Sequence, residues 1–150
     1  MPQSYSSILI HLVFSTKHRM PIITPEAEVE LYKYCNKVLN TNDSPALAIG
    51  GTADHIHILF ALARTKSVAD VVEELKADSS KWFKKKGRKL KNFYWQAGYG
   101  AFSIGRSGVP DLIAYIERQK EHHKKVPFQR EFTSPLKLYD VEYDERYIWD

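Results

Sequence analysis

The chain of 150 residues is long enough for one domain with a buried core, and its 22 lysines and arginines exceed its 18 aspartates and glutamates. The single cysteine, Cys35, excludes an intramolecular disulfide framework, and no apolar run reaches the length of a membrane span. The N-terminal residues lack the basic, apolar and small-residue order of a signal peptide. We therefore expect one cytoplasmic domain over residues 1–150, with no membrane partner.

Four stretches of the sequence have the pattern of β-strands. The first, YSSILIHLVFST, alternates in a way that predicts a buried face formed by Ile8, Ile10, Leu12 and Phe14. The stretches PALAIGG and HIHILFAL follow one another closely, so they predict a β-hairpin. The aromatic stretch FYWQAGYGAFSIG predicts the last strand, with glycines that indicate a bulge or a close backbone approach.

Three stretches have the pattern of helices. In TPEAEVELYKYCNKVLN, Thr24 is expected to cap the helix, and apolar residues including Val29 and Leu39 recur at helical spacing. In SVADVVEELKADSSKWFKKK, Ser67 marks the start, and the apolar stripe is expected to include Trp82. A third helix, PDLIAYIERQKEHHKK, is predicted after a Gly-Val-Pro start.

The resulting order is β-α-β-β-α-β-α, the split β-α-β arrangement of ferredoxin-like and RRM-like folds. We therefore expect an α+β fold: an α/β sandwich with an antiparallel sheet and an added C-terminal helix that carries a tyrosine. The first two helices are expected to cover one face of the sheet, so the other face would be open to ligands.

Two histidines interrupt the apolar strand ADHIHILF. Side chains of a strand alternate between faces, so His55 and His57 share a face opposite Ile56, with Cα atoms roughly 6.5–7 Å apart. Two imidazoles at this spacing can converge on one divalent metal ion. The same spacing also fits two polar residues on a solvated sheet face, so the pair alone leaves both interpretations open.

Tyr115 and Gln119 lie four residues apart on the last predicted helix and therefore project from one helical face. A tyrosine hydroxyl becomes a nucleophile when a neighbouring metal polarises the group that it attacks, and the histidine pair would hold such a metal. The alternative is that Tyr115 anchors the core and Gln119 is solvated.

Positive charge is concentrated in KWFKKKGRKLK and in a shorter group after the first strand. A run of one sign repels itself and gains most by meeting phosphates, although such runs are often simply solvated. The expected nucleic-acid contacts are Lys17, Arg19, Lys84, Lys85, Lys86 and Arg88. The aromatic residues Trp95, Tyr99 and Phe102 fit either base stacking or the sheet core, so they are not assigned.

These motifs together resemble a known family. His55-Ile56-His57 resembles the HUH motif (histidine, bulky hydrophobic residue, histidine), and YIERQ resembles the tyrosine helix of the HUH single-tyrosine transposases. This is the insertion-sequence-200-like family, which includes the REP-associated tyrosine transposases. The segments HLVFSTKHR, SSKWFKKK, WQAGYGAFSI and VEYDERYIWD resemble family segments in the same order, so the resemblance covers nearly the whole chain.

The resemblance implies roles for individual residues. Tyr115 corresponds to the nucleophile, and His55, His57 and Gln119 correspond to ligands of Mg²⁺ or Mn²⁺. It implies a DNA transposase that cleaves and rejoins single-stranded DNA by transesterification, through a 5′-phosphotyrosine and without a nucleotide cofactor. The implied partners are single-stranded or hairpin DNA and a second copy of the chain in a homodimer.

Two other functions fit parts of the sequence. One is a domesticated relative that no longer moves an element but binds, and possibly still nicks, hairpin or repeat single-stranded DNA. The other is an RRM-like RNA-binding module, which would use the basic segment and sheet aromatics but leaves the histidine pair unexplained.

Overall fold

The computed structural model describes residues 3–87 and 90–119. The elements in chain order are β1 (Leu9–Ser15), α1 (Pro25–Thr41), β2 (Ala46–Gly51), β3 (His55–Ala61), α2 (Val68–Lys84), β4 (Gly100–Ser103) and α3 (Val109–Glu117). The four strands form one antiparallel sheet in the order β2-β3-β1-β4. Element order and sheet confirm the predicted α+β fold and its ferredoxin-like arrangement.

Both long helices begin at the residues that the sequence predicts. The side-chain oxygen of Thr24 accepts a hydrogen bond of 3.2 Å from the amide of Ala27, and that of Ser67 accepts one of 3.0 Å from Asp70. Each bond satisfies a backbone donor that has no partner within the helix. The caps fix where α1 and α2 start and therefore which stripes they present to the sheet.

Helices α1 and α2 pack on the sheet face that carries Ile10, Leu12, Phe14, Ile56, Ile58 and Phe60. Two predicted buried positions are wrong. Ile8 precedes β1 and is 44% exposed, and Val29 is 55% exposed because Leu31 and Cys35 are the residues of this part of α1 that face the core. On α2, Phe83 is fully buried, and Trp82 stacks at the edge of the core on Tyr34.

The last strand is shorter than predicted, because only Gly100–Ser103 pairs with β1. Before it, a single bridge joins Thr16 to Trp95, and the buried residues of the segment alternate with exposed ones. Trp95 is buried against Phe93, and its indole N–H donates to the hydroxyl of Ser79 over 2.9 Å. Trp95 is therefore a core residue, whereas Tyr99 remains exposed.

The second face of the sheet is covered, and the prediction of an open face is wrong. Helix α3 packs across β2 and β3, where Ile116 joins a small apolar cluster with Leu9, Ala48 and Leu59. A Cβ atom on Gly50 would lie 2.1 Å from the carbonyl oxygen of Ile116, so helix and strand approach this closely only because residue 50 has no side chain. The face that carries the histidines thus lies beneath α3.

A helix that crosses a lipid bilayer needs about 20 predominantly apolar residues. Among residues 3–87 and 90–119, no helix combines the length and the apolar character needed to cross a membrane.

Candidate functional site

The two histidines of β3 point toward α3 and are almost fully enclosed. His55 lies opposite Ser15 of β1 and His57 lies opposite Val13, and each imidazole is only 1% exposed. Their ring centroids are 5.3 Å apart, at an angle of 77°. The alternative that they stand on a solvated sheet face is therefore wrong, because α3 covers them.

Side chains of the β2–β3 turn hold His55 from one side. Its Nδ1 lies 2.7 Å from a carboxylate oxygen of Asp54 and 2.9 Å from the hydroxyl of Thr52, and this hydroxyl also donates to Asp54 over 3.0 Å. An ionised carboxylate only accepts hydrogen bonds, so the Nδ1 of His55 carries a proton. Nε2 of the same ring then faces α3.

Gln119, two residues after the end of α3, contacts His55 through its side-chain oxygen. The amide nitrogen of Gln119 donates to the carbonyl oxygen of Tyr115 over 3.2 Å, which turns the amide oxygen toward His55. This oxygen lies 3.2 Å from Nε2 of His55. In the neutral ring both atoms present lone pairs, so the contact is satisfied by a proton on Nε2 or by a cation that both atoms bind.

His57 is held by a third histidine, His11 of β1. Nε2 of His11 lies 2.9 Å from Nδ1 of His57, and the two rings stack with centroids 5.1 Å apart. Burial lowers the pKa of His11 to about 4, so this ring is neutral near pH 7 and a single proton joins the two nitrogen atoms. When Nδ1 of His57 carries this proton, Nε2 of His57 presents a lone pair, which is the form that binds a metal ion.

Tyr115 completes the cluster from the last turn of α3, four residues before Gln119. Its ring is 5.6 Å from that of His57, edge to face at 86°, and it packs beside the apolar cluster around Ile116. The structure therefore brings together all four residues that the sequence predicts for catalysis and metal binding, although Tyr115 and Gln119 lie about sixty residues from the histidines in the chain.

The donor set fits a small divalent cation. Among the described residues, no group of three or more histidine, cysteine, aspartate or glutamate side chains is arranged to hold a metal, and the oxygen donor that stands beside the imidazole of His55 is the amide of Gln119. In an octahedral shell with bonds of about 2.1 Å, neighbouring ligand atoms lie about 3 Å apart. The 3.2 Å between Gln119 Oε1 and His55 Nε2 matches this separation.

The basic residues after β1 occupy a constrained turn. Lys17 and Arg19 belong to a 3-10 turn in which His18 and Arg19 both have a φ of 56°, a left-handed conformation that is costly for residues other than glycine. The hydroxyl of Thr16 donates to the carbonyl of Met20 over 2.7 Å and closes the turn. The backbone that carries these basic side chains is therefore constrained.

The second basic group lies at the end of α2. Lys84 places its ammonium 4.0 Å from the ring centroid of Tyr94, and Lys86 places its own 4.6 Å from that of Trp82. Lys86 also forms an ion pair of 3.4 Å with Glu30, which neutralises part of its charge. Lys85 is exposed at the C-terminal cap. Arg88 lies outside the described residues.

Sequence reasoning left several contributors unassigned. The sequence alone does not distinguish a structural from a supporting role for His11 and Asp54, and the contacts above place them against His57 and His55. Thr52 was missed, because a single threonine in a turn has no distinguishing pattern. Tyr94 was also missed, although it stands between the buried residues Phe93 and Trp95, and strand-like alternation predicts its exposure.

The fold is shared with two solved structures. One is a candidate transposase from Deinococcus radiodurans R1, with 20% identity over 79% of this chain and 98% of that chain, and a TM-score of 0.62. The other is a REP-associated tyrosine transposase bound to a REP hairpin, with 16% identity over 84% of this chain and 74% of that chain, and a TM-score of 0.62. Identities this low show a common fold only.

Family assignment comes from the sequence match. A search of curated proteins finds no match to the chain. The family described as "Transposase IS200 like" matches residues 4–119, a span that includes all of the elements above and the whole histidine, tyrosine and glutamine cluster. The chain therefore belongs to the IS200-like transposase family.

Proposed function

We propose that this protein is an HUH single-tyrosine transposase that cleaves and rejoins single-stranded DNA, with Tyr115 as its nucleophile and with His55, His57 and Gln119 as ligands of Mg²⁺ or Mn²⁺. The observation that carries the proposal is the packing of α3 on β3, which brings Tyr115 to 5.6 Å from His57 and Gln119 to 3.2 Å from His55. Membership of the transposase family supports it independently.

The proposed reaction is a transesterification. The hydroxyl oxygen of Tyr115 attacks the scissile phosphorus, the bond to the 3′ oxygen breaks, and a 5′-phosphotyrosine and a 3′-hydroxyl are formed. The proton lost by the phenol is balanced by the proton gained by the 3′ oxygen. A bound divalent cation would polarise the phosphate and offset its charge. One phosphodiester replaces another, so rejoining needs no nucleotide cofactor.

The other residues of the site act on the ligands. Asp54 and Thr52 hold the ring of His55 through Nδ1, so its Nε2 faces Gln119, and His11 holds the ring of His57 through Nδ1, which leaves Nε2 as the proposed ligand atom of His57. Rings held in this way lose little conformational freedom when a metal binds. Because both imidazoles are buried, we propose that α3 shifts to admit the scissile phosphate.

The proposed partners are single-stranded or hairpin DNA and a second copy of the chain. A nucleic-acid partner is supported by the basic residues Lys17, Arg19, Lys84, Lys85 and Lys86, which cluster after β1 and at the end of α2. It is also supported by the REP-associated tyrosine transposase of the same fold, whose structure contains a REP hairpin. We propose a single cytoplasmic domain for the whole chain.

The test is the formation of a covalent adduct. The protein is incubated with Mn²⁺ and end-labelled single-stranded oligonucleotides, including the hairpins next to its own gene, and separated on a denaturing gel. We expect an adduct with the wild-type protein and with the matched control Tyr99→Phe, and none with Tyr115→Phe. An adduct with Tyr115→Phe would disprove the assignment of the nucleophile. Binding without any wild-type adduct would favour the domesticated, non-mobile relative.

A further inference from the structure

An exposed tyrosine stands between the two basic groups of the protein. The ring of Tyr94 is 54% exposed, with the ammonium of Lys84 4.0 Å from its centroid and that of Lys17 6.0 Å away. We propose that these three residues form a subsite for one unpaired nucleotide of single-stranded DNA, in which the base stacks on Tyr94 and the lysines bind the adjoining phosphates. The identity of the nucleic acid rests on the proposed function.

The backbone around Tyr94 is anchored, so its exposed ring is a fixed platform. The neighbours Phe93 and Trp95 are 1% and 7% exposed, and their rings pack edge to face with centroids 4.7 Å apart. The carbonyl oxygen of Tyr94 accepts a hydrogen bond of 2.8 Å from the amide of Lys17. The segment is therefore held on both sides, and a ligand that stacks on Tyr94 orders little additional backbone.

The charges around the ring favour a ligand with both a flat base and phosphates. Lys17 and Lys84 have the same sign and contact one ring, so their repulsion is relieved when phosphates bind. Ammonium–ring contacts at exposed sites are weaker than the stacking of a base on an aromatic side chain. A base can therefore displace the ammonium of Lys84, which then moves to the neighbouring phosphate.

The subsite lies at the same end of the sheet as the candidate catalytic cluster. Ser15, the last residue of β1, pairs with His55, and the next amide, of Thr16, donates to the carbonyl of Asp54 over 2.8 Å. Lys17 follows directly. A single-stranded DNA that stacks one base on Tyr94 would thus pass beside the turn that holds His55. The subsite would then determine which phosphate of the DNA lies nearest to the candidate catalytic cluster.

The subsite is tested by binding in EDTA, where neither a metal nor cleavage contributes. The probe is a fluorescein-labelled oligo(dT), and its affinity is measured by fluorescence anisotropy. We expect Tyr94→Leu to weaken binding about tenfold and Tyr94→Trp to retain it, because stacking requires a ring. The matched control is Tyr5→Leu, which replaces an 86% exposed tyrosine that precedes the first residue of β1, at the opposite end of this strand from Lys17. This variant should bind the oligonucleotide as the wild type does.

The salt dependence separates stacking from charge. Lys84→Gln should reduce the slope of log affinity against log salt by about 0.7, the value for one phosphate of a single strand, and Tyr94→Leu should leave it unchanged. The exposed Lys33→Gln is the control for loss of charge alone. Circular dichroism and the thermal midpoint establish that each variant is folded.

Two outcomes would overturn the subsite. Binding of folded Tyr94→Leu within twofold of wild type would show that the ring does not stack, and a weakening that comes with a reduced salt slope would show that it only positions lysines. Neither measurement uses Tyr115 or a metal. A wild-type protein that forms no covalent adduct would therefore overturn the proposed transposase and leave the subsite standing, and the reverse also holds.

Discussion

The two faces of β3 differ in composition and in the way they are covered. Ile56, Ile58 and Phe60 enter an apolar core beneath α1 and α2, whereas His55 and His57 alternate with them and lie beneath α3. Each of the two covering helices on the first face has 17 residues, and α3 has nine. One strand therefore serves both a large apolar layer and a small polar cluster.

The difference teaches where stability and chemistry are located in this fold. Burying apolar side chains is favourable, whereas burying imidazoles requires compensating hydrogen bonds, which Asp54, Thr52 and His11 supply. The helix over the histidines contributes only a small apolar cluster around Ile116. We expect the first face to determine whether the chain folds and the second to determine whether it reacts.

The largest effect on activity is expected when both imidazoles of β3 are removed. We expect the double variant His55→Ala/His57→Ala to lower the rate of adduct formation at least about 10³-fold, since a metal contributes several kcal/mol to the stabilisation of a phosphoryl transition state. Oligonucleotide affinity in EDTA should stay close to that of wild type, because the lysines remain. Gel quantification and anisotropy measure the two effects. A rate within tenfold of wild type would contradict the ligand assignment.

Removal of an apolar side chain from the other face of β3 should lower stability and leave the activity of the folded protein nearly unchanged. Ile58 is fully buried among α1, α2 and the sheet, so Ile58→Ala is expected to lower the free energy of unfolding by about 3 kcal/mol. The activity of the protein that remains folded should change little. Urea denaturation gives the first quantity, and adduct formation well below the denaturation midpoint gives the second.

The reactivity of Cys35 gives a second, independent measure of core stability in the Ile58→Ala variant. Burial within the apolar core raises the pKa of the Cys35 thiol to about 12, so the group is protonated and unreactive in the folded protein. Labelling by a thiol reagent near pH 8 then requires the core to open, and it should be faster in Ile58→Ala than in wild type. Equal labelling rates would show that Ile58 does not hold this layer.

Much of this arrangement follows from local sequence patterns. The period of two in HIHILF placed Ile56 opposite the histidines, and Thr24 and Ser67 marked the helix starts, because caps and alternation depend only on neighbouring residues. The spacing of Tyr115 and Gln119 likewise predicted a shared helical face.

The packing of α3 over the sheet face that carries the histidines could not be predicted from local sequence patterns. Docking of α3 depends on Gly50, whose role is a contact with Ile116 far along the chain, and local sequence shows only a glycine beside another glycine. The pairing of His11 with His57 depends on the register between β1 and β3. The identity of the fully buried residue at the end of α2, Phe83 rather than Trp82, depends on a rotation of the helix that the pattern leaves open.

The contact of α3 with the sheet is tested at Gly50. In Gly50→Ala the new Cβ would lie 2.1 Å from a backbone oxygen, which cannot turn away as a side chain does, so α3 must shift. A displacement of about 1 Å is enough to lower the rate of adduct formation by about 10²-fold. Gly98→Ala is the matched control, because its Cβ would have no neighbour within 4 Å. Equal rates for both variants would show that the position of α3 does not limit catalysis.

The smallest effect is expected from His11, which supports the proposed metal site through its contact with His57. His11→Leu removes the ring nitrogen that pairs with Nδ1 of His57 and replaces it with an apolar side chain of similar size. The proposed metal needs His57 with its proton on Nδ1, and this proton would then lack its partner in β1, so we expect Mn²⁺ affinity to fall about tenfold. His11→Gln offers a replacement acceptor and should recover part of the loss. Isothermal titration calorimetry with Mn²⁺, without DNA, measures the affinity of both variants.

The contribution of His11 lies in its hydrogen bond rather than in charge, because burial keeps the ring neutral, with a pKa of about 4. The difference in Mn²⁺ affinity between the leucine and glutamine variants should therefore persist at high salt. Equal Mn²⁺ affinities for wild type and His11→Leu would show that His57 needs no support from β1, and the polar face would then depend on α3 alone.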